Sequence, residues 1–233
     1  MENLEEVKAM IQGELSLITD LTERRTFKEL MEGVFLSLWE TNAAMYERLE
    51  ERGARVLDCV THAGSFGLNA GVAGAKSVLG VDASGLAVAQ ARENAALNGL
   101  SDRVEFREAD VFDLLPSLVE NGEKYDVVVL DPPAFTKSRN SIKNAVKGYR
   151  EINLRGMKLV KDGGFLATCS CSHFMTQVLF AQTIGQAADN DHKRLKQAEY
   201  LTQATDHPIR WAADESYYLK CYILQVCDIR SEK

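Results

Sequence analysis

A regular alternation of short apolar runs and longer helical segments begins at residue 55 and constrains the fold more than any other feature of the sequence. Six apolar runs are rich in β-branched residues and long enough for strands; they lie at 55–60, 77–82, 104–110, 125–131, 164–171 and 217–226. Helical segments separate them, at 66–72, 85–98, 111–120, 142–160 and 175–188. Apolar strands alternating with helices are typical of a parallel sheet covered on both faces. The sequence therefore predicts an α/β protein with a doubly wound, mostly parallel sheet, whose strands end at one ligand-binding edge.

The first 53 residues follow a different pattern. Apolar residues recur there at steps of three and four, which is typical of an amphipathic helix, and a second helical stretch covers 27–51. This segment contains twelve acidic and six basic residues, so it carries most of the formal charge of −7. We expect an N-terminal helical segment at 1–53 and one catalytic domain at 54–233.

Composition excludes several classes of protein. An acidic chain is a poor simple nucleic-acid binder, because phosphate contacts need clustered basic side chains. The five cysteines have no disulfide-framework spacing, and neither a secretion signal nor a membrane-length apolar run is present. We therefore expect a cytoplasmic protein with no membrane partner. Cys169 and Cys171 form a CxC pair, but no second Cys/His pair has zinc-ligand spacing, so no metal is expected.

One basic stretch stands out against this acidic background. Residues 136–150 contain five basic side chains and no acidic one; they are Lys137, Arg139, Lys143, Lys147 and Arg150. Such a run is commonly a solvated helix face. Its position just after a candidate catalytic motif also allows contact with a charged substrate, and both interpretations remain open.

The loops after the first three predicted strands suit a nucleoside cofactor. Asp58 ends the first strand, and the small residues around Gly64, before Phe66, let the backbone pass close to a ligand. The loop is not a GxGxxG motif, which disfavours nicotinamide and flavin cofactors. Asp82 ends the second strand, where a carboxylate can accept both hydroxyls of a ribose.

Capping offers an alternative for the acidic residue of the second strand. Asp82 could cap the following helix, and Ser84 could do the same. After the third strand, Asp110 could accept a hydrogen bond from an adenine amine, while Val111 and Phe112 offer apolar cover.

The fourth and fifth predicted strands end in candidate catalytic residues. Asp131 precedes Pro132 and Pro133, which fix the backbone and leave carbonyls available to a planar base or an amine, although prolines also commonly end strands. Cys169 and Cys171 share one strand face, with Cys171 nearer the ligand edge. Two buried, inert thiols are the ordinary alternative.

In combination these motifs resemble the catalytic domain of the bacterial 23S rRNA 5-methylcytosine methyltransferases that carry an N-terminal PUA domain. The resemblance covers residues from about 54 to 226 and is most specific in the DPPxF, GYxxIN and SCS elements. The matching residues are Val56-Leu57-Asp58 through Gly67, Val81-Asp82-Ala83-Ser84, Asn94 to Asn98, Asp110-Val111-Phe112, Tyr125-Asp126-Val127, Asp131-Pro132-Pro133-Ala134-Phe135, Gly148-Tyr149-Arg150-Glu151-Ile152-Asn153, Gly163-Gly164, Ser170-Cys171-Ser172, Asp206-His207-Pro208 and Tyr218-Leu219-Lys220.

The resemblance implies a Rossmann-like class I methyltransferase that uses S-adenosylmethionine and acts in rRNA processing. The residues that would bind the cofactor are Asp58, Gly64, Phe66, Asp82, Ser84, Asp110, Val111 and Asp131. Cys171 would attack carbon-6 of an unstacked cytosine as a thiolate, while Asp131 neutralises charge at N3. Lys143, Lys147 and Arg150 would contact RNA, the expected partner, and a homodimer is left open.

This chain departs from the family pattern at several points. It has Ser37-Leu38-Trp39 where the family usually has Asp-Gln-Arg, and Thr61-His62-Ala63-Gly64-Ser65-Phe66 where Ser-Tyr-Thr-Gly-Gly-Phe is usual. Cys221 replaces a usual glycine, and the PUA domain is absent from the sequence. Two alternatives therefore remain: methylation of an exocyclic amine, which would use the DPPxF motif and no cysteine, and a non-RNA substrate or cofactor binding without turnover.

Overall fold

The computed structural model describes residues 53–136, 138–203 and 208–229. The predicted helices within the first 52 residues, and Lys137 of the basic stretch, lie outside the described residues. In the part that is described, no helix is long and apolar enough to cross a membrane.

Helices and strands alternate along the chain from residue 55, as the sequence predicts. The strands are β1 (Arg55–Cys59), β2 (Ser77–Asp82), β3 (Val104–Glu108), β4 (Tyr125–Leu130), β5 (Val160–Ser170), β6 (Lys193–Leu201) and β7 (Lys220–Asp228). The helices are α1 (Ser65–Val72), α2 (Gly85–Leu97), α3 (Val111–Glu120), α4 (Ile142–Leu159) and α5 (Gln177–Asn190). Two short 3-10 turns, Arg139–Ser141 and Asp214–Ser216, lie in the connections before α4 and β7.

The seven strands form one sheet in the order β3-β2-β1-β4-β5-β7-β6. The first five strands are parallel, and β7 is antiparallel to both of its neighbours. This arrangement confirms the predicted mostly parallel, Rossmann-like α/β fold. The strand order reverses between β1 and β4, and ligands bind beyond the carboxyl ends of the strands at such a reversal.

Helices cover both faces of the sheet because residues on the central strands alternate between two buried clusters. Val56 packs with residues of α1 and α2, whereas the next residue, Leu57, packs with residues of α3, α4 and α5. Val127 and Val128 of β4 divide in the same way. Successive side chains on a strand point to opposite faces, so strands that are apolar throughout can bury both.

The strand β6 is absent from the sequence prediction. None of its residues is buried, and they include Lys193, Arg194 and Lys196, so the segment lacks the apolar run by which the other strands were identified. It lies at the edge of the sheet and pairs only with β7, with a register shift between Gln197 and Glu199. An edge strand needs little apolar surface, and tertiary pairing here outweighs local pattern.

Two strands begin at residues other than the predicted ones, and several strand ends differ from the prediction by one or two residues. The fifth strand begins at Val160 rather than residue 164, because Gly163 adopts a φ of 80° and the register shifts against β4, so the strand continues through a bulge. The last strand begins at Lys220 rather than residue 217, since the preceding residues close a 3-10 turn at Asp214–Ser216.

Candidate active site

The carboxyl ends of β1 to β5 meet at one edge of the sheet, and the first residue of β7 lies at the same edge. Antiparallel pairing of β5 with β7 places Ser170 opposite Lys220. Parallel pairing places Cys59, the last residue of β1, between Val81 and Leu130. The loops that carry the candidate residues therefore start from adjacent strand ends.

The loop after β1 has an unusual backbone. Val60 and His62 have φ angles of 63° and 49°, in the left-handed region that non-glycine residues rarely adopt. Gly64 has a φ of 95° and begins α1 without a side-chain cap. A Cβ added at Gly64 would lie 2.7 Å from Cζ of Phe106. Glycine is therefore required here, and it has no side chain with which to cap the first backbone N–H groups of α1.

The side chain of Asp58 stabilises this loop through hydrogen bonds. Its carboxylate is fully buried, and Oδ2 accepts hydrogen bonds from the backbone N–H of Gly67 at 2.9 Å and from the hydroxyl of Thr61. Burial raises the pKa of Asp58 to about 6, against the lowering effect of those two hydrogen bonds. Within the described residues Oδ1 has no hydrogen-bond partner. An unpaired buried carboxylate oxygen is costly, so this site fits an additional donor.

Asp82 joins the first two loops. Its carboxylate accepts from the backbone N–H of His62 and of Ser84, each at 2.9 Å. The hydroxyl of Ser84 caps α2 by accepting from the backbone N–H of Ala87 at 3.3 Å. Ser84 is thus the helix cap, and Asp82 is not. Each carboxylate oxygen can accept a second hydrogen bond, so Asp82 retains capacity for hydroxyl donors.

Asp110 caps α3. Its Oδ1 accepts from the backbone N–H of Phe112 at 2.8 Å, and the rest of the side chain is exposed. Val111 is buried, whereas Phe112 is 41% exposed and its ring centroid lies 5.8 Å from that of Phe135. The ring of Phe66 is half-buried and packs against the cluster that covers α1 and α2. An exposed acceptor beside a partly exposed ring is suited to a planar, amine-bearing ligand.

Asp131 and Cys171 lie close enough to interact electrostatically. Asp131 follows β4, and burial raises the pKa of its carboxyl to about 6. Sγ of Cys171 lies 3.9 Å from the carbonyl oxygen of Pro132, the next residue. A carboxyl with this pKa exists partly as an acid near neutral pH, so it can donate as well as accept a proton.

The two cysteines of the CxC pair occupy different environments. Cys169 lies inside β5, is 4% exposed and pairs across the sheet with Cys221. Contact with Cys221 and burial raise the pKa of its thiol far above the usual range. Cys171 lies one residue beyond the strand and is only half-buried. Burial and the charge of Asp131 raise the pKa of Cys171, while Lys220 lowers it. Of these two thiols, Cys171 is the accessible one.

Three residues that sequence reasoning assigned no role support the segment around Cys171. The hydroxyl of Ser170 donates to that of Tyr149 at 3.0 Å, and the hydroxyl of Ser172 donates to the carbonyl of Thr136 at 2.8 Å. Lys220 is 1% exposed and donates to the carbonyls of Ser172 at 2.5 Å and Tyr218 at 2.6 Å. A charged residue within the apolar run 217–226 was the available signal for Lys220.

Lys143, Lys147 and Arg150 are exposed and lie at four- and three-residue steps on α4. They therefore share one face of the helix, whose first residue follows the β4 loop. Among the described residues none of the three forms an ion pair.

No group of three or more His, Cys, Asp or Glu side chains in the described ranges could hold a metal ion.

A family model described as a methyltransferase domain matches residues 50–219 of this chain. Among curated proteins, the chain is similar to ribosomal RNA large subunit methyltransferase I of Shewanella denitrificans (38% identity over 97% of this chain) and of Shewanella amazonensis (40% identity over 97%). It spans 58% of the length of each of these relatives.

Solved structures give a likeness of fold. The crystal structure of SMU.776 complexed with SAH matches with a TM-score of 0.69 and 20% identity over 83% of this chain and 50% of that chain. NSun6 of Pyrococcus horikoshii with SFG matches with a TM-score of 0.58 and 14% identity over 79% of this chain and 50% of that chain. At these identities the matches support the α/β architecture alone.

Proposed function

Because the chain belongs to the methyltransferase-domain family, we propose that it transfers a methyl group from S-adenosylmethionine to carbon-5 of a cytosine in ribosomal RNA. The relatives named above are ribosomal RNA methyltransferases, which supports RNA as the substrate. The choice of carbon-5 rests on the chemistry of this chain's own residues.

One observation carries the proposal: an accessible thiol lies against the residue that follows Asp131, and it interacts electrostatically with the carboxyl of Asp131, whose pKa is raised. Sγ of Cys171 is 3.9 Å from the carbonyl oxygen of Pro132, which directly follows Asp131. Methylation of carbon-5 needs both a nucleophile and an acid, because this carbon is unreactive until a group adds to carbon-6. Methylation of an amine needs no thiol.

The residues at the strand ends fit S-adenosylmethionine, which when bound supplies a methyl group activated by a sulfonium. The unpaired Oδ1 of buried Asp58 suits a donor such as an ammonium group. Asp82 has acceptor capacity for ribose hydroxyls, and Asp110 with Phe112 suits an adenine. Because Gly64 has no side chain, the backbone of the loop between β1 and α1 can pass close to the cofactor. The full proposed set of cofactor-binding residues is Asp58, Gly64, Phe66, Asp82, Ser84, Asp110, Val111 and Asp131.

In the proposed reaction the thiolate of Cys171 forms a bond to carbon-6, and the electron pair of the 5,6 double bond moves to carbon-5. Asp131, in its acid form, shares its proton with N3 and so limits the charge that develops on the ring. After methyl transfer a base removes the carbon-5 proton, the double bond re-forms and the thiolate leaves. A cytosine reaches these residues only if it is unstacked from its neighbours.

Nucleoside analysis tests the function directly. The protein is incubated with ribosomal RNA and methyl-labelled S-adenosylmethionine, and the digested RNA is separated and identified by mass spectrometry. We expect the label in 5-methylcytidine. Label in an N-methylated nucleoside without 5-methylcytidine would favour the amine alternative, in which Asp131 and the Pro132 carbonyl accept the amine hydrogens. Label confined to protein or small molecules would contradict an RNA substrate.

Replacing Asp82 with alanine should weaken binding of S-adenosylhomocysteine by about 1–3 kcal/mol, because hydrogen bonds to a charged acceptor are lost. Isothermal calorimetry measures the change. Asp102→Ala is the matched control, since Asp102 is exposed and pairs with Arg103 before β3, at the opposite edge of the sheet. Equal affinity of the Asp82→Ala variant and the unmutated protein would remove Asp82 from the cofactor site.

The basic face of α4 gives a prediction about salt. If Lys143, Lys147 and Arg150 contact phosphates, changing all three to glutamine should reduce the slope of log affinity against log salt by about 2–3. Affinity should fall similarly for RNAs of different sequence. Lys76→Gln serves as the control, since Lys76 is an exposed lysine that directly precedes β2. An unchanged slope in the triple variant would assign this face to solvent.

A further inference from the structure

Lys220 occupies a position where lysine is rare. It is 1% exposed, and its Nζ donates to two backbone carbonyls, those of Ser172 and Tyr218. Within the described residues no carboxylate lies within ion-pair distance of it. Burying an ammonium without a counter-charge costs several kcal/mol, so a lysine retained here calls for a reason beyond two carbonyl contacts.

Lys220 contacts the residues on both sides of Cys171 in the sequence. Its backbone pairs with Ser170, the residue before Cys171, and its Nζ bonds to the carbonyl of Ser172, the residue after it. Ser172 is fixed on its other side by the hydrogen bond to Thr136. The ammonium group is thus held against the turn that carries the thiol, and the two side chains interact electrostatically.

We propose that Lys220 is a positioning residue for Cys171: it fixes the turn on which the thiol lies and stabilises the thiolate once the proton has left. In this step the S–H bond breaks, the proton passes to water, and the thiolate remains beside the ammonium. The inference rests on the proposed function, which gives Cys171 the role of nucleophile. It adds a residue that acts through Cys171 and touches neither RNA nor cofactor.

Charges around Cys171 explain why such a partner is needed. Four titratable groups face the thiol: Asp131 after β4, Tyr149 on α4, Cys169 on β5 and Lys220 on β7. Burial and Asp131 both oppose the thiolate, and Lys220 is the cation among the four. Burial lowers the pKa of Lys220 to about 8, partly offset by Cys171, so the ammonium persists at neutral pH and its effect fades above pH 8.

Alkylation of Cys171 by iodoacetamide, followed by mass spectrometry of the peptide between pH 6 and 10, tests the inference without RNA or cofactor. Lys220→Gln keeps a donor for a carbonyl but removes the charge. It should raise the apparent pKa of the thiol by about one unit or more and slow alkylation at pH 7.5 about tenfold. Lys220→Arg should restore the rate to within about threefold, because the charge returns. An unshifted thiol pKa in Lys220→Gln would overturn the inference.

The control for a general loss of charge is Lys161→Gln, which removes an exposed lysine paired with Asp126 at 2.8 Å. This variant should leave the pKa of the Cys171 thiol unchanged.

A reciprocal measurement covers the case in which Lys220→Gln does not fold. Cys171→Asp places a permanent anion at the thiol position, and carbon-13 NMR of the lysine ε-carbons should then report a pKa of Lys220 at least one unit above that in Cys171→Ala. Equal values in these two variants would contradict the proposed pairing.

These measurements separate the inference from the proposed function. A thiol pKa that depends on Lys220 in a protein that methylates no cytosine would overturn the function and leave the pairing intact. A protein that forms 5-methylcytidine but has the same thiol pKa with and without the charge would overturn the pairing alone.

Discussion

Replacing Cys171 with alanine is expected to lower RNA methylation by on the order of 10³-fold or more, because the covalent route loses its nucleophile. Binding of S-adenosylhomocysteine should be nearly unchanged, since the proposed cofactor residues lie on or just after β1 to β4, whereas Cys171 follows β5. Initial rates with labelled S-adenosylmethionine, together with calorimetry of the same preparations, measure both quantities.

Cys169→Ala is the matched control. This neighbouring thiol lies inside β5 and is 4% exposed, so its loss should cost about 1 kcal/mol of stability and little activity. A Cys171→Ala protein that still methylates RNA at near the unmutated rate would refute the covalent mechanism.

A trapping experiment examines the adduct itself. RNA with 5-fluorocytosine at the target position should remain attached to the protein, because fluorine cannot leave as the carbon-5 proton does. We expect an adduct of combined protein and RNA mass in the unmutated protein and none in Cys171→Ala. An adduct that maps to Cys221 or Cys227, the other half-buried thiols, would show that this cysteine, and not Cys171, is the nucleophile.

Asp131→Asn is expected to have the second-largest effect, with activity and stability changing in opposite directions. Asparagine cannot donate a proton to N3, and loss of a general acid typically costs about 10²–10⁴-fold in rate. The same change removes a carboxylate that is costly to bury. Its pKa is raised from 3.8 to about 6, so the folded protein binds more protons than the unfolded chain between these values.

The sign of the stability effect follows from this difference in proton binding. Stability falls as the pH rises from about 4 to 6, since the folded protein must then release a proton that it holds more tightly than the unfolded chain does. At pH 7.5 the Asn variant should therefore be more stable by about 1–3 kcal/mol, and the gain should vanish below about pH 4. Urea unfolding at several pH values measures it. A variant that is less stable than the unmutated protein at pH 7.5 would contradict the burial penalty.

The rate of the unmutated protein should depend little on pH between about 6 and 8. The thiolate fraction of Cys171 rises with pH while the acid fraction of Asp131 falls, and their product stays nearly constant between the two pKa values. In Asp131→Asn the residual rate should instead rise about tenfold per pH unit over this range. A flat profile in the variant would show that Asp131 is not the titrating acid.

The sequence predicted the fold well because its signals are local and strong. Strands such as β1 and β4 are apolar on both faces, and this pattern has few alternatives outside a covered parallel sheet. The edge strand β6 was missed for the opposite reason: its pairing with β7 is a tertiary contact, and four of its nine residues are charged.

The candidate site was predictable in part. Residues at strand ends could be assigned to one edge, and the family match confirms the methyltransferase class, with S-adenosylmethionine as the expected cofactor. Composition could not separate Cys169 from Cys171, because their difference lies in where β5 ends. The sequence alone did not assign a role to Lys220, because its proximity to Cys171 depends on antiparallel pairing between strands that are 50 residues apart in the chain. The roles of the site residues remain predictions.

Both outer strands of the described sheet carry charged side chains. At one end, β3 exposes Glu105 and Arg107, which form an ion pair at 3.0 Å; at the other, β6 carries Lys193 and Lys196 and has an irregular register. Charged or irregular edge strands resist the addition of a strand from a second molecule. The protein should therefore withstand high concentration without growing into sheet-extended aggregates. We expect any homodimer to associate through elements other than β3 and β6. A crosslink between two copies across either of these strands would contradict this expectation.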